Sequence, residues 1–114
     1  MTNTVRIRMT HSEALQWRAA MRLSVLTSLL MRMDTDKKAI RVEWTDLVEE
    51  TKFKKNNIPR CMGDLSKAIP MGPQLNEHLD LTCWMVTKPT FKQVAAALEI
   101  ARTDGTCTTW LPEV

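Results

Sequence analysis

The segment TDLVEETKFKKNNIPRCMGDLSKAI, Thr45–Ile69, decides how the rest of the chain is read. It opens acidic, passes through the knuckle KFKKNNIPR (Lys52–Arg60) with four positive charges and no acid, and closes on an apolar-spaced run. In its first part Thr45 has the chemistry of an N-cap, and Asp46 falls in the first turn beside the helix dipole. Leu47 and Val48 then anchor a short helix. In its last part Asn57 can cap a second helix, and Pro59 sits in the first turn, where a missing N–H matters little. Ile58, Met62, Leu65 and Ile69 follow at spacings of 4, 3 and 4, an apolar seam along one helix face. Two short helices joined by a tight basic turn make a helix-turn-helix.

Outward from this segment the flanks supply the remaining elements. Upstream, VRIRM alternates apolar and basic residues, as an edge strand or extended arm over residues 1–11 would. Thr10 and Glu13 then have the capping-box spacing. Leu15, Ala19, Leu23, Leu26, Leu30 and Met33 form a helical stripe from about Ser12 to Met33, with Arg18, Arg22 and Arg32 off it. AIRVEW reads as a strand with Ile40, Val42 and Trp44 inward. Downstream, Pro70-Met71-Gly72-Pro73 stops the second helix. QLNEH and LDLTCWMV then form a hairpin turning at Asn76-Glu77-His78, and Pro89 ends its second strand. TFKQVAAALEIAR predicts a final helix with Phe91, Val94, Ala95, Leu98 and Ile100 or Ala101 inward. The tail over 104–114 carries Trp110 and Leu111. The expectation is an α+β chain, mostly helical: a winged helix-turn-helix with a small antiparallel β-hairpin wing, one domain over 1–114.

Composition narrows the function. Residues 1–67 carry 13 Lys/Arg against 8 Asp/Glu, and residues 68–114 carry 3 against 5, so the basic excess lies with the helix-turn-helix. With the seam inward, a helix from Asn57 to Ala68 turns Asn57, Arg60, Cys61, Asp64 and Lys67 outward. Arginine matches the O6/N7 edge of guanine and asparagine the N6/N7 edge of adenine; a carboxylate accepts from cytosine N4 or orients Arg60. Lys54, Lys55 and the helix's N-terminal amides suit phosphate. Lys52 and Asn56 in the turn, with Asn76 and His78 at the wing, complete the candidate DNA contacts. The expected partner is double-stranded DNA.

LSVLTSLLMRMD, a short strand, TDLVEET, NNIPRCMGDLSKA and CWMVTKP together resemble the RepL-type plasmid replication proteins, over about residues 20–91. In that resemblance Leu47 and Val48 match the first-helix anchors, and Asn56 and Asn57 the start of the recognition helix. Ile58, Met62 and Leu65 match the buried seam, and Trp84-Met85-Val86 with Pro89 the final strand. The turn TKFKK lacks the family's small or glycine residue, and the strand ends Thr-Lys-Pro instead of Asn-Pro. The resemblance implies DNA binding in plasmid or phage replication initiation; winged helix regulators of transcription share nearly the same pattern.

Other classes lack their parts. There is no G-x-x-x-x-G-K-[ST] loop and no tyrosine, so neither a phosphate-cradling NTPase nor a tyrosine-dependent nickase is expected. Cys61, Cys83 and Cys107 are odd in number with no C-x-x-C, which favours neither a disulfide framework nor zinc. The chain is expected to be no enzyme, with no cofactor, no metal, no evident small-molecule ligand and no membrane segment. The N-terminus lacks the h-region of a secretory signal, so a cytoplasmic protein is expected, nucleoid-associated if bacterial. First and last helices are the expected homodimer surface, with Trp17 a candidate member. The alternative function is a winged helix module that docks a protein through Trp110, Leu111 and the final helix and binds no DNA. Single-stranded nucleic acid is a weaker option, because stacking needs exposed aromatics and only Phe53 lies near the basic patch.

Overall fold

A computed structural model of the chain describes residues 11–103. In order they form α1 (His11–Leu30), β1 (Ala39–Glu43), α2 (Trp44–Thr51), α3 (Asn57–Leu65), β2 (Met71–Leu75), β3 (Leu81–Thr87) and α4 (Phe91–Thr103). The strands make one antiparallel sheet in the order β1-β3-β2. The fold is therefore the α+β winged helix arrangement expected, with β2–β3 as the wing and β1 closing the sheet's other side. The N-terminal arm over 1–10, the Thr10 cap and the tail with Trp110 and Leu111 lie outside the described residues; His11, placed in the arm, opens α1.

The core lies between the inner sheet face and the four helices. Val25, Leu26, Leu29 and Met33 of α1 meet Leu47, the whole α3 seam (Ile58, Met62, Leu65 and the following Ile69), Val42, Trp84 and Val86, and Ala97 and Ala101 of α4. Alternation sets the sheet faces: Ile40, Val42, Trp84 and Val86 join the core, while Arg41 and Met85, paired across β1 and β3, are exposed.

Several elements differ from the sequence reading, each for a local reason. The inward face of α1 is turned. Arg22 is only 1% exposed and Val25 and Leu29 are buried, while Leu23 and Leu30 are half-buried at its edge. This helix packs on α2, α3 and α4 together, and Asp64 of α3 gives Arg22 a charged partner inside (below). Trp44 begins α2 instead of ending β1, and the N-cap is Glu43, which makes no side-chain cap bond. The chain passes directly from strand to helix, so Thr45 already lies within the first turn. The second helix stops at Leu65, and residues to Ile69 continue as turns back to Met62, Asp64 and Leu65 carbonyls. Met71, Gly72 and Pro73, read as a breaker, already pair with Val86, Met85 and Trp84; an edge strand tolerates proline.

The face of α4 is also rotated. Ala97 and Ala101 are fully buried and Val94 half-buried, whereas Phe91 is 96% exposed, Leu98 38% exposed and Ala95 exposed. Small side chains let α4 approach α1 closely. Its start is a capping box: the Gln93 amide donates to Thr90 Oγ1 (3.2 Å) and the Thr90 amide donates to Gln93 Oε1 (3.0 Å).

Candidate nucleic-acid interface

Three local devices position the basic knuckle. The first ends α2. Lys52 adopts a left-handed conformation, φ 63°, and its amide donates to the Val48 carbonyl at 2.8 Å. It fills the role that glycine usually takes at a helix C-terminus, which is how a turn without a small residue can close. Thr51 Oγ1 donates to the Leu47 carbonyl and accepts from the Phe53 amide. The second device is aromatic. Phe53 packs against the core and meets Trp17 edge-on at 6.1 Å, so Trp17, 50% exposed, steadies the turn from α1. The third is Trp44, whose Nε1–H donates to the Lys55 carbonyl at 2.8 Å while the Lys55 ammonium lies 4.7 Å from its ring centroid. Trp44 in turn meets Trp84 edge-on at 6.0 Å. Turn, wing and first helix are thereby held to one another.

On α3 the buried Ile58, Cys61, Met62 and Leu65 fix the rotation of the helix. At 100° per residue, the side directly opposite is Asn56, Arg60, Gly63 and Lys67, and all four are exposed. Lys52, Lys54 and Lys55 are exposed beside them. Of the residues proposed for contact, six polar ones (Lys52, Lys54, Lys55, Asn56, Arg60 and Lys67) are exposed, and Lys55 borders a pocket shared with Trp44, Asn76 and Asp80. Asn57 is half-buried at the flank.

Two proposed contacts are corrected. Cys61 is 4% exposed, and desolvation pushes its thiol up to about 11. It packs as a small apolar residue and does not face outward. Asp64 is turned to α1, where Arg22 Nη1 donates to its Oδ2 at 3.0 Å. Both errors follow from a seam read too narrowly: α3 is held on two sides, by the core and by α1, so five of its residues are engaged. The N-terminal amides are also committed, Asn57 N–H to the Lys54 carbonyl (2.9 Å) and Ile58 N–H to the Lys55 carbonyl (3.4 Å).

The wing tip differs in charge. Asn76 Oδ1 accepts from the His78 and Asp80 amides at 2.8 and 3.0 Å, an Asx turn that shapes the loop. His78 lies 3.5 Å from Glu77, and Asp80 stands beside them. Leu79 is 77% exposed with φ 65°. Asn76 thus has a structural duty, and His78 sits among carboxylates. Between α3 and the wing runs a groove of about 370 Å³ bordered by Pro59, Gly63, Ser66, Met71, Pro73 and Leu81. Among the described residues no group of three His, Cys, Asp or Glu is placed to hold a metal ion, and no helix is long and apolar enough to cross a membrane.

Trp44 and Gly63 are the residues of this site that sequence reasoning missed. The alternation of AIRVEW puts Trp44 on the strand, and the signal that marks Gly63 is a glycine inside a helical run (Asn57–Leu65). Comparison of the chain with protein-family models, curated proteins and solved structures finds no match.

Proposed function

We propose that the chain binds double-stranded DNA, with the outer face of α3 in the major groove and Lys52, Lys54 and Lys55 on the phosphate backbone. One observation carries the reading: the only acid between Lys52 and Lys67, Asp64, is turned away to Arg22. The exposed residues of this segment therefore include five cations (Lys52, Lys54, Lys55, Arg60, Lys67) and Asn56, with no carboxylate of the segment itself free beside them; Glu43 and Asp80 border a pocket with Lys55 alone of the five. That combination suits backbone neutralisation by lysines and base-edge reading by Arg60 and Asn56. The wing tip is left out of the contact, because Glu77 and Asp80 repel phosphate.

Replication initiation on a plasmid or phage, or transcriptional control, is the process that the resemblance to RepL-type proteins supports. A homodimer pairing α1 and α4 fits the exposed Met31, Phe91 and Leu98 and would present two recognition helices to paired half-sites. The same apolar side chains also favour the second reading, a winged helix module that docks a protein and leaves DNA alone.

Titration of labelled duplexes by fluorescence anisotropy separates the two. On a duplex selected from a random pool, Arg60→Ala should lose about 1–3 kcal/mol and some sequence preference. Lys54→Ala should weaken selected and random duplexes alike and lower the log-salt slope by about 1. Equal loss on both duplexes for Arg60→Ala contradicts base reading. A wild-type chain that ignores duplex at low salt leaves the docking module.

A further inference from the structure

Gly63 stands inside α3 with no reason given by the fold. A helix interior is the place where glycine is least suited among residues other than proline. The usual grounds for accepting it are absent here. Its φ is not positive, and a Cβ built on it would meet nothing within 4 Å. No neighbouring element presses on it, so the described chain would accommodate alanine there with gain.

Its position is equally specific. Gly63 lies on the exposed face of α3, three residues from Arg60 and four from Lys67, the two cations that flank it on that face. On its other side it opens into the groove between α3 and the wing, whose border there is Pro59, Ser66 and Pro73. None of these carries charge, and the Ser66 hydroxyl is occupied in donating to the Gly63 carbonyl at 2.6 Å. The bare backbone is thus bracketed by phosphate- and base-seeking side chains and bordered by a groove. Glycine is a residue that lets a backbone come close to a ligand.

We infer that Gly63 is the point of closest approach between α3 and the duplex, where the helix backbone meets the nucleic acid directly. Arg60 and Lys67 straddle this contact. A methyl group at Gly63 fills the space that the DNA occupies, holds the helix off the groove floor, and lengthens the reach of both cations at once. The inference rests on the DNA-binding reading and adds to it a steric contact that no charge count supplies.

The test is a size series at this one position, Gly63→Ala and Gly63→Gln, each measured for thermal stability and for affinity to a selected duplex over a range of salt. Both residues are good helix formers, so both variants should melt higher than the wild type, Gly63→Ala by about 3–6 °C. Both should bind more weakly, Gly63→Ala by about tenfold and Gly63→Gln by more, since overpacking a close contact grows with side-chain size. The log-salt slope should change little, because every cation remains. Stabilised variants that bind as tightly as the wild type overturn the inference while leaving the DNA reading intact. A lower melting temperature for Gly63→Ala also overturns it, by showing that the fold itself requires glycine. Failure of the wild type to bind any duplex removes the DNA reading, and this inference with it.

Discussion

Helices α3 and α4 present the same problem to a reader of sequence and resolve it differently. Each carries apolar residues at helical spacing, and each packs one face on α1. In α3 the seam Ile58, Met62, Leu65 is buried as its spacing predicts. In α4 the spacing of Phe91, Val94, Ala95, Leu98 and Ile100 or Ala101 predicts a buried face; Ala101 is buried and Val94 half-buried as expected, yet Phe91, Ala95 and Leu98 are exposed and Ala97 lies inside. The difference is in what stands on the other faces. Arg60 and Lys67, both exposed, mark the outer side of α3 opposite the seam. VAAALEIA is apolar almost all round, so hydrophobicity alone chooses no face. Close approach to α1 chooses it, and alanine permits that approach where phenylalanine does not.

Mutations can break this comparison. The largest effect is expected for Leu65→Ala, which removes a fully buried side chain and should cost about 2–5 kcal/mol in urea denaturation. Next comes Asp64→Ala. With Arg22 98% shielded at its side chain and Asp64 73% shielded, loss of the partner leaves a buried guanidinium short of one carboxylate. About 2–3 kcal/mol is expected, below the full range for a deeply buried pair because Asp64 keeps some water. The smallest is Phe91→Ala. A phenylalanine 96% exposed should matter by less than about 0.5 kcal/mol in the monomer. A loss comparable to that of Leu65→Ala would mean that Phe91 is covered, and concentration dependence of that loss would assign the cover to a second copy.

Much of the fold was legible because its punctuation is strong. The order of all seven elements follows from cap residues, prolines and changes of period around Thr45–Ile69. Boundaries were less so: strand β2 begins at Met71, before the glycine and proline that read as a breaker, because its edge position forgives what an inner strand would not. Exposure at the candidate site was legible for Arg60 and Lys67 on the face opposite the seam and for Lys52, Lys54, Lys55 and Asn56 in the turn, whereas Asn57, expected outward, is half-buried. It was not legible where a polar residue finds a distant partner. Nothing local announces that Asp64 belongs to Arg22, 42 positions earlier, or that Trp44 holds the Lys55 carbonyl. Those are tertiary facts, and they turn a helix with a mixed outer face into one with a basic outer face.

The central claim is that this basic face meets duplex DNA. It is tested most directly by mapping backbone amide chemical shifts in NMR spectra as a short duplex is added at low salt. The account predicts perturbations over Lys52–Asn56 and on Arg60, Gly63 and Lys67, with Phe91–Leu98 and the wing tip Glu77–Asp80 unmoved. Perturbations centred on α4, or none along Lys52–Lys67, would contradict it.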